Sequence, residues 1–163
     1  MLYKLNSNED WRTILGMPEP DINMKDIEVI LRGFAMLTDM ESYKSSMQKF
    51  LNSYSRKARR ISSMNIELLM NIFLKFIEVS QKLGSEPFSS QRGKFNISLY
   101  DAVFVAICKS AYLANDANLV NIASEDFDKL KANSEFNEAT LFAAAGTGKI
   151  LRRLEIAQSI LEK

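Results

Sequence analysis

The sequence predicts an all-α protein, an irregular multi-helix bundle of about six to seven helices with two central apolar helices. Apolar residues recur at intervals of three and four along most of the chain, which is the spacing of one face of a helix. Only three prolines and six glycines interrupt 163 residues, so long helices are permitted. We find neither the alternating pattern of a strand nor an internal repeat. Residues 1–163 are therefore expected to form a single helical domain.

Residues at helix ends mark the first two helices. Asn8 is a good capping residue for a short helix over residues 9–15, and Gly16 follows it directly, where a glycine commonly ends a helix. Two prolines then predict a loop. Apolar residues resume the helical spacing and predict a second helix from about Lys25 to Leu37.

The next two predicted helices lie on either side of a basic connection. The first covers about residues 42–54, where tyrosines and other apolar residues repeat at the helical spacing. The second starts at Ser62 or Ser63, runs to about Leu83 and stops before Gly84. Because it is apolar on two sides, it is predicted to be one of the two central helices.

The second central helix is predicted over about residues 99–113. Ser98, followed three residues later by Asp101, resembles a capping box, with aspartate where glutamate is usual. The run that follows is almost entirely apolar, so this helix is expected to lie deep in the bundle.

Three shorter helices are predicted in the remaining part of the chain. Serines precede or open two of them, over about residues 124–132 and 134–144. Thr147 is expected to cap the last helix, over about residues 148–161.

The sequence contains no histidine, and this excludes several kinds of active site built on this chain alone. Histidine is the usual general base near neutral pH and the commonest metal ligand. Serine or cysteine nucleophiles activated by histidine are therefore excluded, as is an ordinary zinc site. No motif of convergent acids is visible either. We accordingly predict no catalytic residue, no metal site and no cofactor.

The composition predicts a soluble protein of the cytoplasm. Cys108 is the one cysteine, so the chain cannot form an internal disulfide, which suits a reducing compartment. Lys75 and Glu78 interrupt the most apolar stretch, so no membrane-spanning segment and no membrane partner are expected. The first residues lack the continuous apolar run of a signal peptide.

A short basic segment is the best indication of a partner. Residues 42–60 carry six basic side chains and no acidic one, although the whole chain has a net charge of only +1. Contact with the phosphates of DNA or RNA would use these six side chains. A solvated helix face is the alternative, because cations near the end of a helix are favoured by its dipole whatever their function. The candidate nucleic-acid-binding residues are Lys44, Lys49, Arg56, Lys57, Arg59 and Arg60.

Glu28 and Arg32 are a candidate structural ion pair. They lie four residues apart on the second predicted helix, with the glutamate on the N-terminal side, which is the favourable order for such a pair. At the surface the pair would contribute only about 0.3–0.5 kcal/mol to stability. If half-buried between helices, it could instead fix how they pack.

Four stretches of the sequence resemble one known protein family. They are Leu5-Asn6-x-Asn8-x-x-Trp11-Arg12-x-x-Leu15-Gly16, Met24-x-Asp26-x-Glu28-x-x-Leu31-Arg32-x-Phe34-Ala35, Tyr43-Lys44-x-x-Met47-x-x-Phe50-Leu51-Asn52 and Phe95-Asn96-x-x-Leu99-Tyr100-Asp101-Ala102-Val103. In this order and spacing they resemble the helical C-terminal part of the prokaryotic GmrSD-type restriction and defence family. The similarity spans most of the chain and is clearest in residues 5–52.

The resemblance implies a role beside DNA-targeting machinery. Proteins of that family begin with a ParB/sulfiredoxin-like domain carrying an Asp-Gly-Gln-Gln-Arg motif linked to nucleotide hydrolysis, and many continue into an HNH nuclease. This chain contains neither that motif nor a histidine for an HNH site. It therefore looks like a fragment or truncated relative of a larger protein, without the catalytic portion. No catalytic residue of the family carries over to these positions.

Three functions follow as expectations. The first is a non-catalytic helical accessory module of a GmrSD-like DNA-restriction or phage-defence protein, which packs against a catalytic domain or partner subunit and contacts nucleic acid through the basic segment. The second is a bundle for protein–protein docking or dimerisation. The third, which has the least support, is a metal-dependent enzyme that uses carboxylates alone.

Overall fold

The protein is an all-α bundle, as the sequence predicts. The structure, a computed structural model, describes residues 1–90, 93–141 and 144–162. Within these ranges the chain forms nine α-helices and no strand. The helices are α1 (Leu2–Asn6), α2 (Glu9–Leu15), α3 (Lys25–Asp39), α4 (Met47–Ala58), α5 (Ser63–Gln81), α6 (Ile97–Leu113), α7 (Ser124–Ala132), α8 (Ser134–Thr140) and α9 (Thr147–Leu161). The number of helices is slightly above the six to seven predicted.

Helix α6 lies at the centre of the bundle. It packs against α3, α5 and α9, and eleven of its residues are buried. An aromatic cluster fills the space between α6, α5 and α2. In this cluster the ring centroids of Phe76 and Phe104 are 4.9 Å apart, and those of Trp11 and Phe73 are 5.0 Å apart. These edge-to-face contacts join three helices that are distant in sequence.

The close approach of α3 to α6 depends on Gly33. A Cβ atom at this position would lie 2.6 Å from the hydroxyl oxygen of Tyr100 and 3.1 Å from Cδ1 of Phe104. A side chain at position 33 would therefore require the rings of Tyr100 and Phe104 to shift. The glycine allows the two rings of α6 to pack directly against the backbone of α3.

Two predicted capping residues are confirmed. Asn8 accepts a hydrogen bond from the backbone N–H of Trp11 at 2.9 Å, and Gly16 ends α2 in the left-handed conformation with φ of 64°. Ser62 accepts from the backbone N–H of Asn65 at 3.3 Å and opens α5. In each case a polar side chain satisfies a backbone donor that the helix itself leaves free.

The predicted start of α4 at residue 42 is wrong. A short 3₁₀ turn, Met40–Ser42, follows α3, and α4 begins only at Met47, capped by Ser46. Tyr43 has extended backbone and Ser45 has φ of 48°, so neither is helical. Long-range contacts hold this connection, because the Tyr43 hydroxyl donates to the carbonyl oxygen of Ala145.

The predicted capping box of α6 is also wrong. Asn96 caps this helix and accepts from the backbone N–H of Leu99 at 3.1 Å. Ser98 falls inside the first turn, and Asp101 is engaged in the core by Arg32. Nothing local in the sequence distinguishes these two capping patterns, because both place a polar side chain before the same apolar run.

The ends of α8 and α9 differ from those predicted. Helix α8 ends at Thr140 rather than at Ala144, and this leaves the carbonyl of Ala139 free to accept from Arg153 at 2.7 Å. Phe142 and Ala143, within the predicted helix, lie outside the described residues. Thr147 is the first residue of α9 rather than its cap, and its hydroxyl forms a hydrogen bond with Ser45.

None of the helices in the described ranges is both long enough and apolar enough to span a membrane.

Candidate nucleic-acid interface

The six predicted nucleic-acid-binding residues lie before, along and just after α4. All six side chains are exposed, and they are Lys44, Lys49, Arg56, Lys57, Arg59 and Arg60. Helix α4 has a strongly amphipathic pattern, so one side packs on the protein and the other faces solvent. The exposure of the cations within α4 follows from this pattern.

Three exposed cations lie along α4 and in the turn that follows it. Lys49 and Arg56 are seven residues apart, which is close to two helical turns, so they share one face. Arg59 keeps helical backbone angles, with φ of −62° and ψ of −17°, and Arg60 follows in the turn after the helix, where its backbone N–H donates to the carbonyl of Lys57 at 3.0 Å. We call Lys49, Arg56 and Arg60 the cationic row. The buried residues Phe50, Leu51 and Tyr54 turn the other side of the helix toward the core.

Lys57 differs from the other five candidates because a carboxylate neutralises it. Its ammonium nitrogen lies 3.0 Å and 2.7 Å from the two carboxylate oxygens of Asp39, and 3.0 Å from the hydroxyl of Ser42. An ammonium group has three hydrogens, and these three acceptors use all of them. Lys57 is therefore committed to holding α4 against the end of α3.

The other five cations have no ion-pair or hydrogen-bond partner for their side chains among the described residues. Elsewhere on the surface, basic and acidic side chains commonly neutralise each other. Examples are the pairs Lys75–Glu78, Lys129–Asp126, Lys131–Asp128 and Arg152–Glu135. Uncompensated positive charge is thus concentrated along and beside the cationic row, where it creates an attractive field for a polyanion.

Contacts with distant parts of the chain hold α4 and the connection before it in place. The rings of Tyr43 and Phe50 meet edge to face, with centroids 5.3 Å apart. The hydroxyls of Tyr54 and Thr38 form a hydrogen bond at 3.2 Å. The hydroxyls of Ser45 and Thr147 form another at 2.8 Å. The cationic row is therefore carried by a helix fixed to both α3 and the start of α9.

The predicted ion pair between Glu28 and Arg32 is replaced by a pair across the core. Arg32 lies 2.6 Å from Asp101 through Nη2 and 2.7 Å through Nε, and Glu28 is exposed. Burial of Asp101 favours the neutral carboxyl and raises its pKa, although the charge and hydrogen bond of Arg32 act in the opposite direction. The geometry shows a structural ion pair that joins α3 to α6.

Arg153 is a second cation near this pair. It is 1% exposed, and its guanidinium donates to the carbonyls of Ala139 at 2.7 Å and Ala144 at 2.9 Å. Burial lowers its pKa, while the charge of Asp101 acts against that effect. These hydrogen bonds fix the connection between α8 and α9. The guanidinium of Arg153 therefore has a structural role, and it is buried away from any ligand in solution.

A second buried ion pair holds the N-terminal helices together. Arg12 lies 2.7 Å from Asp26, and the side-chain amide of Asn6 donates to the same carboxylate oxygen at 2.8 Å. Burial raises the pKa of Asp26, but hydrogen bonds from Asn6, Arg12 and the backbone N–H groups of Asp21 and Ile27 outweigh it and lower this pKa to about 2. Asp26 is therefore ionised at neutral pH, and it ties α1, α2 and α3 to one another.

The carboxylates and the cysteine bear on the third expectation, a metal-dependent enzyme. No group of three or more acids and cysteines in the described ranges could hold a metal ion. Cys108 is fully buried, and burial raises the pKa of its thiol well above the ordinary value. A thiol in this environment is a poor nucleophile because the thiolate is disfavoured.

Sequence reasoning missed the partners of the buried charges. Arg32 and Asp101 are 69 residues apart, so no helical spacing relates them. One signal was available, because Asp101 is the only acid in α6, a helix made mostly of apolar residues. A lone carboxylate in a helix predicted to be central needs a buried partner, since a bare charge is costly in the core.

The chain matches no protein-family model, no curated protein and no solved structure. The resemblance to the GmrSD-type family therefore stays a prediction that depends on the four stretches quoted above.

Proposed function

We propose that this chain is a non-catalytic helical accessory module of a cytoplasmic DNA-restriction or phage-defence protein of GmrSD type. It contacts the phosphates of a nucleic acid through the cationic row, with Lys44 and Arg59 beside it. The observation that carries the proposal is the set of five exposed cations without a carboxylate partner in the described part of the chain. Lys57 is left out of the contact because Asp39 already neutralises it.

The spacing of the row suits a phosphate backbone. Lys49 and Arg56 are separated by about 10 Å along the axis of α4, which is far enough for each to contact a different phosphate of one strand. A helix fixed at both ends holds these charges at a constant spacing, which lowers the entropy lost on binding. Contacts of this kind carry affinity and position, and they do not read sequence.

The test is binding of short labelled DNA, single-stranded and duplex, measured by fluorescence anisotropy from about 50 to about 200 mM salt. We expect salt-sensitive binding by the wild-type protein. The triple variant Lys49→Ser, Arg56→Ser, Arg60→Ser should bind more weakly, and its dependence of log affinity on log salt should be shallower by about two to three units.

A charge-matched variant serves as the control. Lys4→Ser, Lys25→Ser and Lys94→Ser together also remove three exposed cations, but all three lie outside the basic segment of residues 42–60. Affinity should change little in this variant. Absence of binding at low salt, or an equal loss in both triple variants, would contradict a contact localised to the cationic row.

Docking or dimerisation of the protein is the second candidate function, and an exposed apolar group near the N-terminus favours it. Tyr3 is 68% exposed, Met24 is 53% exposed and Ile22 is 96% exposed. The hydroxyl of Tyr3 lies 3.6 Å from the sulfur of Met24, and Met24 has φ of 58°. A non-glycine residue in this conformation is uncommon, and such strain occurs often at binding surfaces.

Light scattering over a range of protein concentrations tests dimerisation through this group. If the group is the interface, the wild-type protein dimerises and Ile22→Ser stays monomeric. Val120→Ser is the matched control, because Val120 is an apolar residue that is 70% exposed elsewhere. If the wild-type protein is monomeric at every concentration, the proposal that it dimerises is wrong.

A further inference from the structure

A small cleft opens where α3, α4, α5 and α6 meet. Its volume is about 190 Å³, and it lies between the end of α3, the last turn of α4, the first half of α5 and the end of α6. This volume is below the roughly 300–1,000 Å³ of pockets that take drug-sized ligands. The cleft therefore has room for one small ring system and not for a whole nucleotide.

The cleft is directly next to the basic segment. Lys57, on its wall, follows Arg56 in the sequence, and Ile61, also on its wall, follows Arg60. Neighbouring Cα atoms are about 3.8 Å apart, so the backbone of Arg56 and of Arg60 lies within one residue of the cleft wall. A chain of phosphates bound by the cationic row would therefore run close to the cleft.

The walls of the cleft combine apolar and polar groups. Ile61 and Leu69 give it an apolar surface, and Tyr112 adds a half-buried aromatic ring. The side-chain amide of Asn65 is exposed and has no hydrogen-bond partner in the described ranges, so it offers one donor group and one acceptor. An aromatic ring and an amide are the groups with which proteins commonly hold an unpaired base.

The charges in the cleft neutralise each other. Asp39 and Lys57 form an ion pair at 2.7 Å on its wall, so neither attracts a charged ligand strongly. The group that enters should accordingly be planar, polar and uncharged, while phosphates stay outside on the unpaired cations. A nucleobase has this chemistry, with an apolar face and a hydrogen-bonding edge.

We infer that the cleft binds one unstacked base of a single-stranded nucleic acid whose phosphates lie along the cationic row. This inference rests on the proposed function and specifies its ligand. A base in a duplex cannot enter, because its edge is paired and its faces are stacked on its neighbours. The protein should therefore prefer single strands, or the frayed ends of duplexes, to fully paired DNA.

Two strands that differ only in their bases provide the test. One is a short labelled thymidine strand, and the other has the same length and the same phosphates but carries only abasic sugars. The cationic row alone would bind both strands equally. If the cleft takes a base, the wild-type protein should bind the thymidine strand at least fivefold more tightly, which is the lower end of the effect of stacking one base.

Substitutions in the cleft should abolish this preference without changing the binding of the abasic strand. Asn65→Leu removes the amide and narrows the opening, and Asn65 is exposed, so the fold should be retained. Tyr112→Leu removes the aromatic ring and provides an independent second variant. Asn71→Leu is the matched control, because Asn71 is an exposed asparagine of the same helix outside the cleft.

The outcomes separate the two proposals. If neither strand binds, the proposed function fails, and the inference fails with it. If both strands bind equally, the phosphate contact stands and the cleft is not a base site. A preference for the thymidine strand that persists in Asn65→Leu and Tyr112→Leu would place the base elsewhere and overturn the assignment. A preference lost in both variants and kept in Asn71→Leu would support it.

Discussion

Arg32 on α3 and Asp101 on α6 form the ion pair that joins these two helices through the core. Both Nη2 and Nε of Arg32 approach the same oxygen, Oδ2, at 2.6 Å and 2.7 Å. The other oxygen, Oδ1, is buried and has no hydrogen-bond partner among the described residues. Arg32 therefore supplies the direct hydrogen bonds that compensate the buried carboxylate, and the position of α6 on α3 depends on this contact.

Removal of the carboxylate should destabilise the protein strongly. Asp101→Ala leaves Arg32 largely buried without its partner, and loss of one member of a buried pair commonly costs about 3–5 kcal/mol. We expect the free energy of unfolding, measured with urea, to fall by about 3 kcal/mol. The control is Glu28→Ala, which removes the partner expected from helical spacing and should cost less than about 0.5 kcal/mol. Equal losses in the two variants would contradict this role of Asp101.

The stability of the protein should fall in acid as Asp26 becomes protonated. Its pKa is about 2 in the folded protein, compared with the ordinary value of 3.8. A group with a lowered pKa stabilises the fold above its unfolded pKa, and this contribution is lost as the pH falls from about 4 to about 2. The contribution at neutral pH is about 2 kcal/mol.

Urea unfolding of the wild-type protein and of Asp26→Asn at several pH values tests this prediction. The variant should be less stable at neutral pH, and the difference between the two proteins should shrink by about 2 kcal/mol as the pH falls to about 2. Asp101 cannot produce this trend, because a raised pKa in the folded protein favours stability at low pH. A difference that is constant with pH would show that Asp26 does not titrate as described.

A methyl group at position 33 should force α3 and α6 apart. Gly33→Ala places a Cβ 2.6 Å from the Tyr100 hydroxyl, and overpacking of this kind costs about 1–3 kcal/mol. Gly148→Ala is the control, since nothing lies within 4 Å of a Cβ there and alanine favours the helix. The free energy of unfolding should fall in the first variant and stay the same or rise slightly in the second.

Tyr100→Phe should partly rescue Gly33→Ala. The Tyr100 hydroxyl is buried with no hydrogen-bond partner among the described residues, so its removal alone should be neutral or stabilising. In the double variant the nearest clash is gone, although Phe104 Cδ1 still lies 3.1 Å from the new Cβ. We expect the cost of Gly33→Ala to fall by at least about 1 kcal/mol in this background. Additive effects would show that the hydroxyl is not the atom that limits the approach.

The cap of α6 can be located by comparing two substitutions. Asn96→Ala removes the side-chain acceptor of the Leu99 N–H and should lower the free energy of unfolding by about 1 kcal/mol. Ser98→Ala should cost less than half of that, because the Ser98 hydroxyl caps nothing and serine is a poorer helix former than alanine. Unfolding by urea measures both, and a larger effect at Ser98 would restore the capping box expected from the sequence.

Helices could be predicted where local chemistry determines them. Asn8 and Gly16 mark the ends of α2, and the apolar spacing defines the body of α3. The start of α4 could not be predicted, because Tyr43 leaves the helix to bond a carbonyl about one hundred residues away. Local propensity favours a helix there, and the tertiary hydrogen bond outweighs it.

The sequence predicts which residues carry the positive charge of the candidate site, but it does not predict their contacts or the cleft beside them. A segment with six cations and no acid is visible in the sequence, and the exposure of Lys49, Arg56 and Lys57 follows from the helical spacing of α4. Lys57 is neutralised by Asp39, which belongs to α3. The cleft next to residue 61 depends in part on Tyr112, which belongs to α6. No spacing within α4 contains this information.

The packing of α9 on α6 has a consequence for biosynthesis. Helix α9, with its buried Ile150 and Ile156, is the last of the described helices to leave the ribosome. Until α9 has emerged, the side of α6 that it contacts in the folded protein stays open to water. Exposed apolar surface of this kind recruits chaperones and promotes aggregation. The side of α6 that contacts α9 is therefore covered only after α9 has left the ribosome and packed against it.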